Sequence, residues 1–163
     1  MRILVHDYSG HPFQVELSRA LAAKGHEVTH SYCAAYVSGK GHLSAEPGES
    51  LSFEPIGEAI TIDKMAFGKR LLQEARLGLE LARQALRLKP NVSIMSNVPI
   101  PTLMIFAFVM MIYRKPWVLW HQDVQAIAIK SFAGDKLGKG FLVAAKGIEL
   151  GERWCSRRAA AIV

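Results

Sequence analysis

At 163 residues, half of them hydrophobic and only 21% charged, the chain has apolar material for one packed domain and too little charge for a disordered one. Cys33 and Cys155 are its only cysteines and form no C-x-x-C pair, which argues against a zinc site or a disulfide scaffold and fits a reducing cytoplasm. A net charge of +6 with an isoelectric point near 9.5 leaves two readings open: a plain basic face, or a partner bearing phosphate such as a nucleotide, nucleic acid or anionic lipid.

Arg2–His6 is a short, mostly apolar run suited to a central parallel strand. Polar Asp7 and Ser9 follow too soon for a signal peptide. Asp7-Tyr8-Ser9-Gly10-His11-Pro12 breaks the run, and Pro12 suits a first helical turn. Phe13, Leu17, Ala20, Leu21 and Lys24 then follow helical spacing, and Gly25 ends the segment. With a second strand at Glu27–Tyr32 the opening is a βαβ unit. A helix N-terminus beside Gly10 would seat a phosphate. A lone glycine is equally a turn residue, and G-x-G-x-x-G is absent.

Cys33–Ser50 reads as a long surface loop and Leu51–Ile56 as a third, less central strand. Asp63–Pro90 is the longest helix, capped by Asp63 and closed by Pro90. At 100° per residue, Leu71, Leu72, Ala75, Leu79, Ala82 and Leu86 form the expected core stripe. Lys69, Arg76, Arg83 and Arg87 form an adjacent basic ridge, with Leu77, Leu81 and Leu88 beyond it. That ridge is either a solvated face or a contact for an anionic membrane surface.

Asn91–Ser96 is the fourth strand, and Asn97-Val98-Pro99-Ile100-Pro101 turns the chain. Thr102 is placed to cap a helix over Thr102–Tyr113 that is apolar all round. A bilayer span needs about 20 such residues, so this is a core helix, with shallow membrane insertion as the alternative. The fifth strand, Trp117–Trp120, stops abruptly at His121-Gln122-Asp123. A glycine-punctuated helix over Leu142–Arg158 and a sixth strand from Ala159 complete the pattern. A chain ending inside an apolar strand reads as the N-terminal half of something larger. The whole predicts an α/β, Rossmann-like three-layer domain with a mostly parallel sheet. Its ligands would gather outside the carboxyl ends of the strands, with His121 and Asp123 facing the loop 7–12. Asp123 is a general base or the cap of a following helix; Asn97 and Thr102 sit at another strand end. His6, His11, His26, His30 and His42 show no metal spacing, so no metal is expected.

Four stretches carry a resemblance: M-R-I-L-V-H-D-Y with Gly10-His11-Pro12, L-A-A-K-G-H-E-V-T, N-V-P-I-P-T-L and R-K-P-W-V-L-W-H-Q-D. In this order, with the closing E-R-W-C-S-R-R-A-A-A-I-V, they resemble the N-terminal domain of a GT-B glycosyltransferase of the family 4 type. The nearest kinds are those acting in capsule, exopolysaccharide or O-antigen assembly. The resemblance implies an acceptor-side domain spanning 1–163, half of a two-domain architecture whose donor-binding C-terminal domain is missing, so that the fragment alone is inactive. It implies transfer of a sugar from a nucleotide-sugar to an acceptor hydroxyl, usually with retention, and no metal or other cofactor. By the same likeness, Gly10 and His11 belong to a first loop that approaches the leaving diphosphate, although many relatives have more glycines there. His121 or Asp123 would face the transferred sugar, and Asn97 and Thr102 the acceptor. A lipid-linked acceptor would give the ridge of Lys69, Arg76, Arg83 and Arg87 a use at the inner face of the cell membrane. The rival class is a non-catalytic Rossmann-like module for a phosphate ligand or a protein. A nucleic-acid binder has only charge in its favour, because aromatics are not interleaved with the basic residues.

Overall fold

The computed structural model describes residues 1–36, 40–58, 67–122 and 139–163. The expected cap Asp63 and the candidate base Asp123 lie outside the described residues. Six strands form one sheet: β1 (Arg2–Asp7), β2 (Glu27–Cys33), β3 (Leu51–Ile56), β4 (Val92–Ser96), β5 (Trp117–Trp120) and β6 (Ala161–Ile162). Their order is β3-β2-β1-β4-β5-β6 and every pairing is parallel. That is the doubly wound Rossmann order, and the α/β Rossmann-like class is as expected. The described helices are α1 (Pro12–Ala23), α2 (Phe67–Leu88), α3 (Ile100–Ile112) and α4 (Lys139–Ser156).

Side chains alternate across a strand, so β1 feeds two cores. Leu4 and Tyr8 join Leu77, Leu81, Met95, Phe106 and Trp117 under α2, α3 and α4. Ile3 and Val5 join Ala22, Val28 and Leu51 under α1. Phe106, Leu4, Leu77 and Leu81 are fully buried, each worth about 1.5–3 kcal/mol at most.

Three expectations need correction. The core stripe of α2 is not the one expected. Of the expected stripe Ala82 is fully buried, but Leu71, Leu72 and Leu79 are exposed, while Glu74, Leu77, Leu81, Gln84 and Ala85 are buried. The helix is turned by about a third of a revolution from the stripe of apolar residues because two polar side chains are pulled inward. Gln84 accepts from the Ser31 hydroxyl at 2.7 Å, and Ser31 pairs with His6 at 3.0 Å. Glu74 accepts from the Tyr8 hydroxyl at 3.2 Å and from Thr102 at 2.5 Å. Helix α3, expected to be buried all round, leaves Met104, Phe108, Met111 and Ile112 exposed, with Phe106, Ala107 and Met110 inside. Thr102 does not cap α3. The cap residue is Pro99, without a side-chain bond, and Thr102 lies wholly buried in the first turn.

Glycines inside helices cost about 1 kcal/mol relative to alanine, and two of them have a packing reason. A Cβ on Gly78 of α2 would lie 2.6 Å from the Thr102 carbonyl oxygen and 2.8 Å from Ile105. A Cβ on Gly151 of α4 would meet Met104 at 2.6 Å and Ile100 at 2.8 Å. Gly147, by contrast, faces open space. Gly78→Ala should therefore lower the melting temperature despite its better helix propensity, whereas Gly147→Ala should stabilise by up to about 1 kcal/mol. Thermal denaturation of the two variants side by side checks the contrast, and equal shifts would contradict the packing account.

His6 and His30 are fully buried on opposite faces of the sheet, His6 bonded to Ser31 and His30 to Ser18 at 2.8 Å. Burial depresses both, His6 to about 3, with His30 adding repulsion, and His30 to about 4. The unfolded chain takes up these protons near 6.5, so stability is complete above that value and falls as pH drops from 6.5 toward 4. Each ring should cost roughly 2 kcal/mol by pH 5. Urea midpoints at pH 7 and pH 5 measure this, and an unchanged midpoint would rule it out.

Candidate functional site

Where β1 and β4 lie side by side, the chain winds off in opposite directions, and a crevice opens beyond their carboxyl ends. A cavity of about 610 Å³ occupies it. Tyr8, Ser9, His11 and Phe13 line it from the end of β1 and the start of α1; Asn97–Ile100 line it after β4; Leu119–Gln122 line it after β5. Leu103, Tyr36, Arg70 and Glu152 complete the wall.

The first loop is organised by Asp7. Its side chain is buried and accepts the backbone N–H of Ser9 at 3.2 Å, the N–H of His11, and the Asn97 amide at 3.5 Å. Burial raises the Asp7 carboxyl above its ordinary value, and the N–H bonds oppose that. Gly10 holds φ +75°, a left-handed conformation that favours glycine. Its carbonyl accepts the Gly41 N–H at 2.8 Å, and it is buried beneath Lys40 and Leu43. The phosphate reading of Gly10 gains no support from this geometry. Two N–H groups that an anion would take are claimed by the chain's own carboxylate, and Gly10 is not among the residues lining the cavity. His11 does line it.

His121 follows β5 and is fixed twice. Its backbone N–H bonds the Val163 carbonyl at 2.9 Å, and its Nε2 lies 3.0 Å from Glu152 Oε1. The Glu152 side chain is only 9% exposed and His121 29%, so a carboxylate from α4 holds an imidazole open to the cavity. Beside it, Gln14 of α1 donates to Ser96 Oγ at 2.9 Å and to Gln122 Oε1 at 3.1 Å. That amide joins α1, β4 and the end of β5 in one network. Asn97 holds φ +54° on the cavity rim. Thr102 is a correction: its hydroxyl is bound to Glu74 Oε2 and to the Glu74 carbonyl, and it does not line the cavity.

Glu152 and Gln14 were not singled out from sequence. Both carry the same signal, a polar residue on an otherwise buried helix face: Glu152 with Ala145 and Cys155, Gln14 with Val15 and Ala22. The thiols offer no nucleophile, since burial raises Cys33 and pushes Cys155 up to about 12. Among the described residues no group of three or more His, Cys, Asp or Glu is placed to hold a metal ion.

Lys69, Arg76, Arg83 and Arg87 are all exposed along α2. Arg87 pairs with Glu54 of β3, and Arg76 with Glu80 one turn on at 3.3 Å. Leu71, Leu72 and Leu79 are exposed on the same helix; Leu77 and Leu81 are core. Among the described residues no helix is long and apolar enough to cross a membrane.

No family model matches the chain, and no curated protein matches it. Solved structures do. The apo UGT2 of Phytolacca americana superposes over 78% of this chain and 30% of its own, with TM-score 0.52 and 15% identity. Sucrose-phosphate synthase from Thermosynechococcus elongatus superposes over 100% of this chain and 47% of its own, with TM-score 0.54 and 12% identity. A glycosyltransferase of Streptomyces sp. SF2575, SsfS6, gives only TM-score 0.40, too loose to argue from. The chain thus shares the fold of one portion of the first two proteins and spans less than half the length of either.

The role of Asp7 is directly testable. Asp7→Ala should cost roughly 1–3 kcal/mol, because it leaves buried N–H donors unmatched. Urea unfolding measures the loss, and a neutral result would show that the loop holds its shape without the carboxylate.

Proposed function

We propose that this chain is the acceptor-side domain of a GT-B glycosyltransferase, transferring a sugar from a nucleotide-sugar to an acceptor hydroxyl. The His121–Glu152 pair on the wall of the switch-point cavity carries the reading. An imidazole held by a buried carboxylate, and open to a cavity large enough for a sugar, is a group that binds or deprotonates a hydroxyl. The fold shared with the two solved structures supports it. The occupied seat in the first loop supports the acceptor side, since the charge of a donor diphosphate would be met by a second domain. The donor is treated as a substrate, and no metal or cofactor enters the reading.

The finer reading is a family 4 type enzyme of capsule, exopolysaccharide or O-antigen assembly, acting on a lipid-linked saccharide. Retention, which the sequence resemblance implies, leaves His121 holding a hydroxyl by hydrogen bonds. The histidine–carboxylate pair favours a second reading, in which His121 takes the acceptor proton during direct displacement with inversion. Anomeric configuration of the product by NMR separates the two. In the second case, His121→Gln in the two-domain protein should lower kcat by roughly 10²–10⁴-fold. The 163-residue chain alone should show no transfer in a radiolabelled nucleotide-sugar assay, and turnover by it would overturn the acceptor-side assignment.

For a lipid-linked acceptor, the exposed face of α2 is the membrane contact. Lys69, Arg76 and Arg83 stand beside exposed Leu72 and Leu79, a pairing suited to an anionic bilayer surface. On this reading the protein is cytoplasmic and peripheral to the inner face of the membrane. Vesicles with phosphatidylglycerol should carry the chain upward in flotation at low salt and those of phosphatidylcholine should not. Equal behaviour with both removes the membrane from the proposal.

A further inference from the structure

Three aromatic rings stand together on one wall of the cavity, and the reading above does not use them. The His11 and Phe13 rings are stacked, 5.8 Å apart and 10° from parallel. Phe13 meets Trp120 edge to face at 6.1 Å and 72°. All three line the cavity, and Phe13 is 51% exposed although it stands in the first turn of a helix whose next two residues are buried. A phenylalanine in this position gains little from the core. One face of its ring is covered by His11, and the ring meets Trp120 nearly at right angles, so the two form an apolar corner, half open to solvent, inside a concave site.

The polar groups around that surface are planar and fixed. Gln122 is held by Gln14, itself buried and tied to Ser96. His121 is held by Glu152, and Asn97, tied to Asp7, shares the lining. Flat apolar rings beside fixed planar hydrogen-bonding groups complement a pyranose. The C–H face of the sugar, slightly positive, lies on the electron-rich face of an aromatic ring. Its ring hydroxyls meet amide, imidazole and carboxylate groups in the plane around it. A lipid tail would match the rings and not the amides; a phosphate would match the amides and Arg70 and not the rings.

We infer that Phe13, walled at its side by Trp120, is a stacking platform for a pyranose ring, with Gln122 and His121 reading its hydroxyls. The platform rests on the proposed function only in naming the bound sugar as acceptor. Phe13 is the specificity-determining residue: it favours sugars presenting an uninterrupted C–H face.

The test uses the 163-residue chain without nucleotide-sugar. Saturation-transfer NMR is run with methyl β-glucopyranoside, methyl β-galactopyranoside, methyl α-mannopyranoside and N-acetylglucosamine. At least one should receive saturation at its ring C–H protons, and Phe13→Ala should weaken that ligand about three- to tenfold, the scale of one aromatic contact. Phe13→Tyr should restore it. Because Phe13 is half exposed, the alanine variant should keep the circular dichroism and melting temperature of the parent, so loss of binding is not loss of fold. Absence of transfer to every sugar, or binding that survives Phe13→Ala unchanged, overturns the platform. Saccharide binding by a protein that, joined to a second domain, transfers nothing would keep the platform and remove the transferase. Transfer with an acceptor KM indifferent to Phe13→Ala would do the reverse.

Discussion

The rim of this domain depends on one buried carboxylate. Asp7 is the last residue of β1, and it spends its oxygens on the two N–H groups that follow and on Asn97 after β4. A charge removed from water is costly unless hydrogen bonds replace its hydration. Here the backbone of the loop supplies them, and the loop thereby acquires a single shape. The same bonds place His11 and Phe13 on the cavity wall and bring the ends of β1 and β4 together. The anion that belongs to many such loops as a ligand belongs here to the chain.

Around that anchor, the site is built from pairs in which a buried polar group orients one at the cavity. Glu152 orients His121, and Gln14 orients Gln122. Each pair spans two elements distant in sequence, so the orientation survives only in the folded state. Buried polar groups of this kind stabilise little in net terms but restrict geometry when fully satisfied. Gln14 is only partly satisfied, since its Oε1 has no partner among the described residues.

The sheet was legible in sequence because strands buried on both faces read as short apolar runs between turn residues, as in Arg2–Asp7 and Trp117–Trp120. All six strands fall where the pattern puts them, and His121 lies at the carboxyl edge as expected. The rotation of α2 was not legible. Hydrophobic periodicity counts leucines, whereas the helix is turned by Glu74 and Gln84, whose partners Tyr8, Thr102 and Ser31 come from three other elements. Phe13 misled in the same way: its spacing fits a core face that Gln14 and Ser18 occupy instead. The occupancy of the first loop by Asp7 was hidden because a carboxylate that caps its own turn and one that meets solvent have the same letter.

The glycines on either side of α3 separate the spacing of that layer from the chemistry of its outer surface. Gly78 and Gly151 allow α2 and α4 to approach α3 almost backbone to side chain, so the spacing of that layer is set without the residues on its outer surface. Phe108, Ile112, Leu72 and Leu79 can then diversify for whatever lies outside, while Ile100 and Leu103 on the inner end of α3 keep their place in the cavity wall. A lineage could exchange one outer environment for another without retuning what the cavity accepts.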